Sequence, residues 1–213
     1  DGVEWIRLLY AYPERVSEKL LDVMAAQPKI VPYLDLPIQH CSERVLKAMN
    51  RQGGREAVLK AVERIRTKLP HAALRTTLIV GFPGETQEEF EELCRFVKQQ
   101  RFDRLGCFAY SEEEGTPAAS LPGKVPEEEK MHRQEIVMRE QAVIMEQLNE
   151  QKVGTVQQVL VEGYDPYIKH CFGRTAYDAP EVDGKIFFTA KQRPKAGELV
   201  AVEVTDVLDY DLL

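Results

Sequence analysis

The sequence has few cysteines, and they are far apart. Its four cysteines are Cys41, Cys94, Cys107 and Cys171. Neither a CxxC nor a CxxxCxxC spacing occurs, which excludes the compact cysteine motifs that bind zinc or an iron–sulfur cluster. Scattered cysteines without a signal peptide are typical of reduced thiols. We therefore expect a cytoplasmic protein without a disulfide framework.

Long apolar runs and an excess of basic residues are also lacking. No apolar run is long enough to cross a bilayer, and the start has no basic, hydrophobic leader, so we expect no membrane partner. The net charge of −7 disfavours a nucleic-acid binder held by phosphate contacts. Apolar residues make up 44% of the chain, enough for a packed core.

Both ends of the sequence are abrupt. The first residue is Asp1 rather than Met, a strand-like run begins almost at once at Glu4, and the chain stops at Leu213 without a polar tail. Domain ends are usually polar and frayed. We therefore expect the chain to be a fragment of a longer protein.

The first two-thirds alternates strand-like and helix-like segments. The predicted strands are Trp5–Tyr10, Tyr33–Pro37, Leu74–Val80 and Leu105–Tyr110, and the predicted helices start at Ser17, Glu43, Arg55, Thr86 and Pro126. Pro28 and Pro32 are expected to end the first helix. The first strand is expected to be buried, and the third to be covered on both faces. Strands alternating with helices predict a parallel sheet, either open or part of a barrel.

The pattern changes after Lys152. Four short strand-like segments follow, at 156–162, 171–176, 185–189 and 199–207, separated by Gly, Pro and Asp turns. Such a series predicts a small antiparallel barrel or sandwich. The expected domains are therefore residues 1–151 and residues 152–213.

Three loops follow predicted parallel strands at their carboxyl ends, where α/β folds bind ligands. The loop Ile79–Thr86 carries glycines that permit close backbone approach to a ligand, although a tight strand-to-helix turn needs them equally. The loop Pro37–Ser42 carries two polar side chains, those of Gln39 and His40. A lone histidine is more often a structural residue than a catalytic one. The loop Tyr110–Pro117 carries three consecutive acids, which are either solvated or placed to meet a basic partner.

The same loops resemble a known family. In order and spacing, Pro37–Arg51, Ile79–Thr86 and Phe108–Pro122 are similar to the later strands of the radical S-adenosylmethionine methylthiotransferases. Ser111–Thr116 resembles the RimO type rather than the tRNA-modifying MiaB type. Gly173–Gly184 and the closing Tyr210-Asp211-Leu212 are also RimO-like. The resemblance implies a partial TIM-like radical-SAM barrel followed by a small β-barrel TRAM domain.

The resemblance implies an activity as well. RimO-type enzymes add a methylthio group to the β-carbon of an aspartate in the small-subunit ribosomal protein S-twelve, using S-adenosylmethionine and two [4Fe-4S] clusters. Their CxxxCxxC loop is missing here, so we expect no metal ligand, no catalytic residue and no turnover in this chain alone. The alternatives are a tRNA methylthiotransferase of MiaB type and a non-catalytic piece that docks a partner.

The resemblance implies cofactor-binding roles for five residues: Gln39, Arg51, Thr77, Gly81 and Glu85. Thr77, Ile79 and Gly81 alternate onto one face of their strand, which we expect to face the barrel interior. Packing or loop geometry explains each of these residues equally well.

Two expectations concern partners. Residues 152–213 hold seven Lys/Arg and ten Asp/Glu, a net of −3. An acidic module suits a basic ribosomal protein better than tRNA, whose phosphates favour a basic surface. The open edge of a half-barrel invites strand pairing, so we expect self-association through Glu4–Tyr10.

Overall fold

The structure, a computed structural model, describes residues 2–213 and consists of two units. The first contains β1 (Ile6–Leu8), α1 (Glu18–Ala26), β2 (Ile30–Asp35), α2 (Glu43–Ala48), α3 (Gly54–Lys68), β3 (Ala73–Val80), α4 (Gln87–Gln100), β4 (Arg104–Ala109) and α5 (Glu127–Glu150). The second contains β5 (Val156–Asp165), β6 (His170–Thr175), β7 (Ile186–Phe188), β8 (Leu199–Glu203), β9 (Val207–Leu208) and β10 (Asp211–Leu212). Short 3-10 helices lie at Pro13–Arg15 and Pro117–Ser120.

Local capping signals fix the helix starts. The Ser17 and Ser42 hydroxyls accept hydrogen bonds from the first turns of α1 and α2. At α4, Thr86 and Glu89 form a reciprocal capping box, each side chain accepting from the other's backbone N–H. These predicted starts are confirmed, because side chains adjacent in sequence satisfy the free N–H groups of the first turn.

The first unit contains a parallel sheet in the order β1-β2-β3-β4. One face packs against the helices and forms the main core, which includes Leu34, Leu74, Leu78, Leu93, Phe96 and Phe102. The predicted α/β class, with part of a parallel barrel, is confirmed. Within residues 2–213, none of the helices combines the length and the apolar character that crossing a membrane requires.

Three predictions about this sheet were wrong. The first strand is neither long nor buried, because β1 is an edge strand of three residues and Ile6 remains 44% exposed. Pro32 lies inside β2 and does not terminate α1, which already ends at Ala26. β3 is fully covered on one face only: Thr77 and Ile79 are half-buried, since the helices pack on the opposite face.

The second unit contains a sheet in the order β8-β5-β6-β7-β10-β9. Its pairs are antiparallel except for β7 with β10, so the sheet is mixed rather than wholly antiparallel as expected. A separate small core lies within it, made of residues that include Val159, Val161, Ile186 and Val204.

The segment after β6 connects the two units. Arg7 Nη1 of β1 donates to the Ala176 carbonyl oxygen at 2.8 Å, and the Tyr33 hydroxyl of β2 donates to Asp183 at 2.6 Å. A shared apolar cluster, which includes Val31, Tyr33, Ala73 and Ala179, surrounds these contacts. The second unit therefore packs on the sheet face opposite the helices, toward the amino ends of the strands.

Candidate functional site

The loops that follow β2 and β3 meet at the carboxyl edge of the sheet. The Gln39 N–H donates to the Thr77 carbonyl oxygen at 2.9 Å, and the Ile79 N–H donates to the Gln39 carbonyl oxygen at 2.8 Å. Gln39 thus forms a parallel bridge to Leu78 beyond the end of β2. Two predicted site residues, Gln39 and Thr77, are brought together by backbone pairing.

Gln39 has an unusual conformation and an unsatisfied polar atom. Its φ of 68° lies in the left-handed region, which is strained for a residue with a side chain. Its amide oxygen Oε1 is buried and accepts no hydrogen bond within residues 2–213. A strained residue with an unpaired buried acceptor is typical of a ligand site. A bound hydrogen-bond donor would satisfy the buried oxygen, and its binding energy would offset the backbone strain. This geometry fits a small ligand with an N–H or O–H group.

Glu85 is engaged in a buried network. Its carboxylate accepts from the Gly81 N–H at 2.9 Å and from Arg133 Nη1 at 2.7 Å. Burial raises the pKa of Glu85, but the contacts with His40, Arg133 and the Gly81 N–H outweigh it and leave the pKa below its usual value. The carboxylate is therefore ionised and holds the Gly81 loop against α5.

His40 completes this network. Its Nδ1 accepts the Ser42 N–H at 2.9 Å, so Nε2 is the ring nitrogen that faces Glu85. Nε2 lies 3.6 Å from Glu85 Oε2, and both side chains are fully buried. The structure thus places His40 as a structural partner of Glu85 and away from the surface of the rim.

Gly81 also has a packing reason for being glycine. Its φ is 72°, and a Cβ at this position would lie 2.1 Å from Lys130 Cγ of α5. Lys130 Nζ in turn donates to the Tyr110 carbonyl oxygen at 3.0 Å. The Gly81 N–H and the Glu85 carboxylate are both engaged in contacts within this loop and with α5.

Arg51 borders a different cleft. Its Nη2 donates to the Pro37 carbonyl oxygen at 2.5 Å, and its guanidinium carbon lies 5.1 Å from the centre of the Tyr12 ring. The cleft has a volume of about 430 Å³, and its lining includes Met49 and Asn50. Arg51 is thus linked to the β2 loop through Pro37, two residues before Gln39.

Sequence reasoning missed the contribution of α5 to this edge. Arg133 bonds Glu85 and Glu129, and Gln134 donates to the Cys107 carbonyl oxygen at 2.9 Å. Only a weak indication of this contact is present in the sequence, the four-residue spacing of Glu129 and Arg133. An Arg four residues after a Glu is common on helix surfaces, and only the fold shows that Arg133 is buried.

The residues at this site do not fit a metal cluster. Within residues 2–213, no group of three or more His, Cys, Asp or Glu side chains is arranged to hold a metal ion. Burial raises the pKa of both Cys41 and Cys107 to about 12. Metals bind the thiolate rather than the thiol, so the buried cysteines are structural.

Two family descriptions match the two units. Residues 3–97 match the Radical SAM superfamily, and residues 153–213 match the TRAM domain. Among curated proteins, the "Ribosomal protein uS12 methylthiotransferase RimO" of Pelobacter propionicus is 47% identical over 214 residues, covering 100% of this chain and 47% of the relative. The proteins of the same name from Geobacter sulfurreducens and Clostridium acetobutylicum are 45% and 44% identical, with 48% and 47% of their lengths covered and 100% of this chain.

The chain is RimO-like over its whole length. It spans about half the length of the curated RimO relatives it matches. The predicted fold, a partial radical-SAM barrel followed by a TRAM domain, is confirmed by the two matches.

A solved structure supports the barrel assignment. "Coproporphyrinogen III oxidase (HemN) from Escherichia coli is a Radical SAM enzyme" superimposes with a TM-score of 0.51 at 19% identity, covering 68% of this chain and 32% of that chain. At this identity the likeness concerns the fold alone. It supports the α/β fold of the first unit, whose carboxyl edge carries Gln39.

Proposed function

We propose that this chain supplies the later barrel strands and the TRAM module of an enzyme that adds a methylthio group to the β-carbon of an aspartate in ribosomal protein uS12. The observation that carries the proposal is the similarity to RimO relatives, which extends over the whole chain and through both units. The barrel part comprises residues 1–151 and the TRAM module residues 152–213. The enzyme acts in the cytoplasm.

S-adenosylmethionine is the ligand at the carboxyl edge, where it supplies the reactive group of the modification. The Gln39 amide oxygen would accept a hydrogen bond from a cofactor N–H or O–H, and the Thr77 carbonyl oxygen holds the Gln39 backbone in place. Gly81 and Glu85 act through the loop that they fix, because the Gly81 N–H donates to the Glu85 carboxylate. Arg51 supports the Pro37 carbonyl at the start of the Gln39 loop.

Cofactor retention tests this assignment. The chain is incubated with radiolabelled S-adenosylmethionine, and retention is measured by equilibrium dialysis for wild type and for Gln39→Ala. We expect measurable retention that the substitution weakens. Absence of retention by the wild-type chain would contradict the cofactor site, while equal retention by both would remove Gln39 from it.

The two [4Fe-4S] clusters of the full enzyme bind outside residues 2–213, since the described cysteines offer no ligand set. The chain alone is therefore inactive in methylthio transfer. Anaerobic reconstitution with iron and sulfide tests this point: we expect no stable visible absorbance of a thiolate-bound cluster. A stable cluster on this chain would contradict it.

The protein substrate is basic, so acidic side chains at the carboxyl edge of the sheet attract it. Glu113 and Glu114 are exposed in the loop after β4, while Glu112 pairs with Lys124 at 2.6 Å. A pull-down with immobilised chain separates the substrate classes. We expect ribosomal protein uS12 to be retained over tRNA, and preferential retention of tRNA would favour the MiaB type. Self-association through β1 is a further part of the proposal.

A further inference from the structure

A path of direct contacts connects the TRAM module with the loop that follows β1. Its members are Asp183 of the segment after β6, Arg75 of β3, Asp35 of β2 and the loop Tyr10–Tyr12. The Asp183 and Asp35 side chains are each 2% exposed, and the Arg75 side chain is 17% exposed. The proposed cofactor contacts use none of these three charges, so their arrangement needs an explanation of its own.

Tyr10 has a backbone conformation that side-chain packing does not explain. Its φ of 58° lies in the left-handed region, which is unfavourable for a residue with a Cβ. Its side chain is 76% exposed, so few packing contacts hold the backbone in this state. Hydrogen bonds from two consecutive N–H groups to Asp35 hold it instead. The Tyr10 N–H donates to Asp35 Oδ2 at 3.2 Å, and the Ala11 N–H donates to the Asp35 carbonyl oxygen at 2.9 Å.

Arg75 orients the Asp35 carboxylate. Arg75 Nη1 donates to Asp35 Oδ1 at 3.2 Å, which leaves the other oxygen, Oδ2, for the Tyr10 N–H. A buried carboxylate without a counter-ion is costly, so Arg75 also stabilises the ionised form of Asp35. The strained loop therefore depends on Arg75 as well as on Asp35.

The second carboxylate beside Arg75 comes from the TRAM module. Arg75 Nε lies 3.6 Å from Asp183 Oδ1. Asp183 is itself fixed, because its Oδ2 accepts the Tyr33 hydroxyl at 2.6 Å and the Ala179 N–H at 2.8 Å. Burial and the neighbouring Asp183 raise the pKa of Tyr33, so this hydroxyl keeps its proton and donates. The planar guanidinium thus lies between two carboxylates, one from each unit, which together define its orientation.

The loop also contacts a residue of the carboxyl edge. The Tyr12 ring centre lies 5.1 Å from the guanidinium carbon of Arg51, within the range of a cation–π contact. Arg51 Nη2 donates to the carbonyl oxygen of Pro37, which comes two residues before Gln39. A displacement of the Tyr10–Tyr12 loop would therefore remove a contact that holds Arg51 at this edge.

We propose that Asp183 is a positioning residue through which the TRAM module shapes the cofactor edge. Asp183 holds Arg75, and Arg75 orients Asp35. Asp35 in turn keeps the Tyr10–Tyr12 loop in the strained conformation that supports Arg51. The last step, from Arg51 to the cofactor, rests on the proposed function, whereas the path from Asp183 to the loop does not.

The test compares two buried aspartates of the same segment. Asp183→Asn keeps the shape of the side chain and removes the charge that holds Arg75. Asp178→Asn is the matched control. Asp178 is also buried and also accepts hydrogen bonds from a hydroxyl and a backbone N–H, but it pairs with Arg104 instead of Arg75.

Hydrogen exchange of the Tyr10 amide, followed by NMR without any ligand, reports on the bond to Asp35. We expect this exchange to be about tenfold faster in Asp183→Asn than in Asp178→Asn, which is roughly the effect of one lost charge-assisted hydrogen bond. Asp178→Asn should lower the midpoint of urea unfolding without this local effect, because local opening and global unfolding are separate events. Equal exchange of the Tyr10 amide in the two variants would overturn the proposal.

Retention of S-adenosylmethionine in equilibrium dialysis tests the last step of the path. We expect Asp183→Asn to retain the cofactor about fivefold more weakly than Asp178→Asn, a factor at the low end of the usual coupling between sites. Faster amide exchange in Asp183→Asn with unchanged retention would overturn the link to the cofactor edge. Absence of retention by the wild type would contradict the proposed function alone, because the exchange measurement involves no cofactor.

Tyr10→Gly shows whether backbone strain is what the path supports. Glycine adopts a positive φ freely, so the loop should then depend less on Asp183. We expect Asp183→Asn to weaken retention less in the Tyr10→Gly background than in the wild type, since residues that act together are not additive. Equal effects in both backgrounds would overturn this role of Asp183.

A second variant serves if Asp183→Asn does not fold. Arg75→Lys keeps the positive charge, but a single ammonium group replaces the two guanidinium nitrogens that face Asp35 and Asp183. We expect faster exchange of the Tyr10 amide and weaker retention in this variant too. Exchange and retention as in the wild type would overturn the proposal.

Discussion

Arg104 of β4 and Asp178 of the segment after β6 form an ion pair that is buried between the two units. The side chains are 6% and 4% exposed, and Asp178 also accepts hydrogen bonds from the Thr175 hydroxyl and N–H. Burial alone would raise the pKa of Asp178, but Arg104, Lys152 and Thr175 hold it below its usual value. The charged pair thus joins the TRAM module to the barrel sheet.

Removing one partner of this pair should be costly. Asp178→Ala leaves the Arg104 guanidinium buried without its counter-ion, which destabilises by about 3–5 kcal/mol. Urea denaturation of the two proteins measures the difference. The control is Glu112→Gln, which breaks an exposed pair with Lys124 and should cost less than about 1 kcal/mol. Similar losses in both variants would contradict the structural role of the buried pair.

Acid should destabilise the chain through Glu89. Burial raises the pKa of Glu89, but hydrogen bonds from Arg44, the Thr86 N–H and Ser42 lower it to about 2. A carboxylate with a depressed folded-state pKa contributes stability that is present above its ordinary pKa and lost as the pH falls toward the folded-state value. We expect the free energy of unfolding to fall progressively from about pH 4.5 downward.

The variant Glu89→Gln separates this contribution from the rest. It should lower the free energy of unfolding at neutral pH by about 1–3 kcal/mol. It should also weaken the fall of that free energy as the pH is lowered into the acid range. Glu63→Gln, at an exposed position on α3, serves as the control and should leave the curve unchanged. Urea titrations between about pH 7 and pH 3 supply the measurement. If the free energy of unfolding of Glu89→Gln falls with acid pH as it does in the wild type, other carboxylates are responsible for the pH dependence.

Gly81 should not tolerate a side chain. In Gly81→Ala the new side chain sits at a positive φ, and its Cβ would lie 2.1 Å from Lys130 Cγ. We therefore expect the free energy of unfolding to fall by about 2–4 kcal/mol. The control Gly115→Ala has a φ of 80° but nothing within 4 Å of its Cβ; it should lose only about 1–2 kcal/mol. Thermal unfolding compares the two. Adding Lys130→Ala to Gly81→Ala should recover part of the loss.

Gln39 should show opposite effects on stability and on cofactor retention. Gln39→Gly relieves the strain at φ 68° and removes a buried, unpaired amide oxygen, so we expect the free energy of unfolding to rise by about 1 kcal/mol. Gln39→Ala removes the amide but keeps the strained backbone and should be less stable than Gln39→Gly. Both should weaken S-adenosylmethionine retention about fivefold, the effect of one lost hydrogen bond. A Gln39→Gly protein with full retention would contradict the role of the amide.

The sequence predicted the features that depend on neighbouring residues. The capping box at Thr86 and the end of α4 at Gln100 follow from local hydrogen bonding and periodicity. Side-chain partners distant in sequence were not predictable. Arg133 meets Glu85 across 48 positions, and Arg104 meets Asp178 across 74. The positive φ of Gln39 was equally hidden, because it results from the pairing of its backbone with β3 and not from its residue type.

The exposed edge of the sheet should support self-association. β1 has one hydrogen-bonded neighbour strand, β2, among the described residues, and Ile6 and Leu9 are 44% and 45% exposed beside it. An apolar edge strand with free backbone groups pairs readily with a second copy, and a lysine on such an edge prevents pairing. We expect wild type to associate with increasing concentration in sedimentation velocity, and Ile6→Lys to remain monomeric.

A matched substitution shows whether the edge itself is responsible. Leu59→Lys replaces an apolar side chain that is 39% exposed on α3 and adds the same charge away from the sheet. This variant should associate as the wild type does, because backbone pairing at β1 is unaffected. Equal loss of association in Ile6→Lys and Leu59→Lys would attribute the effect to net charge. A wild-type chain that stays monomeric at high concentration would show that the β1 edge does not pair with a second copy.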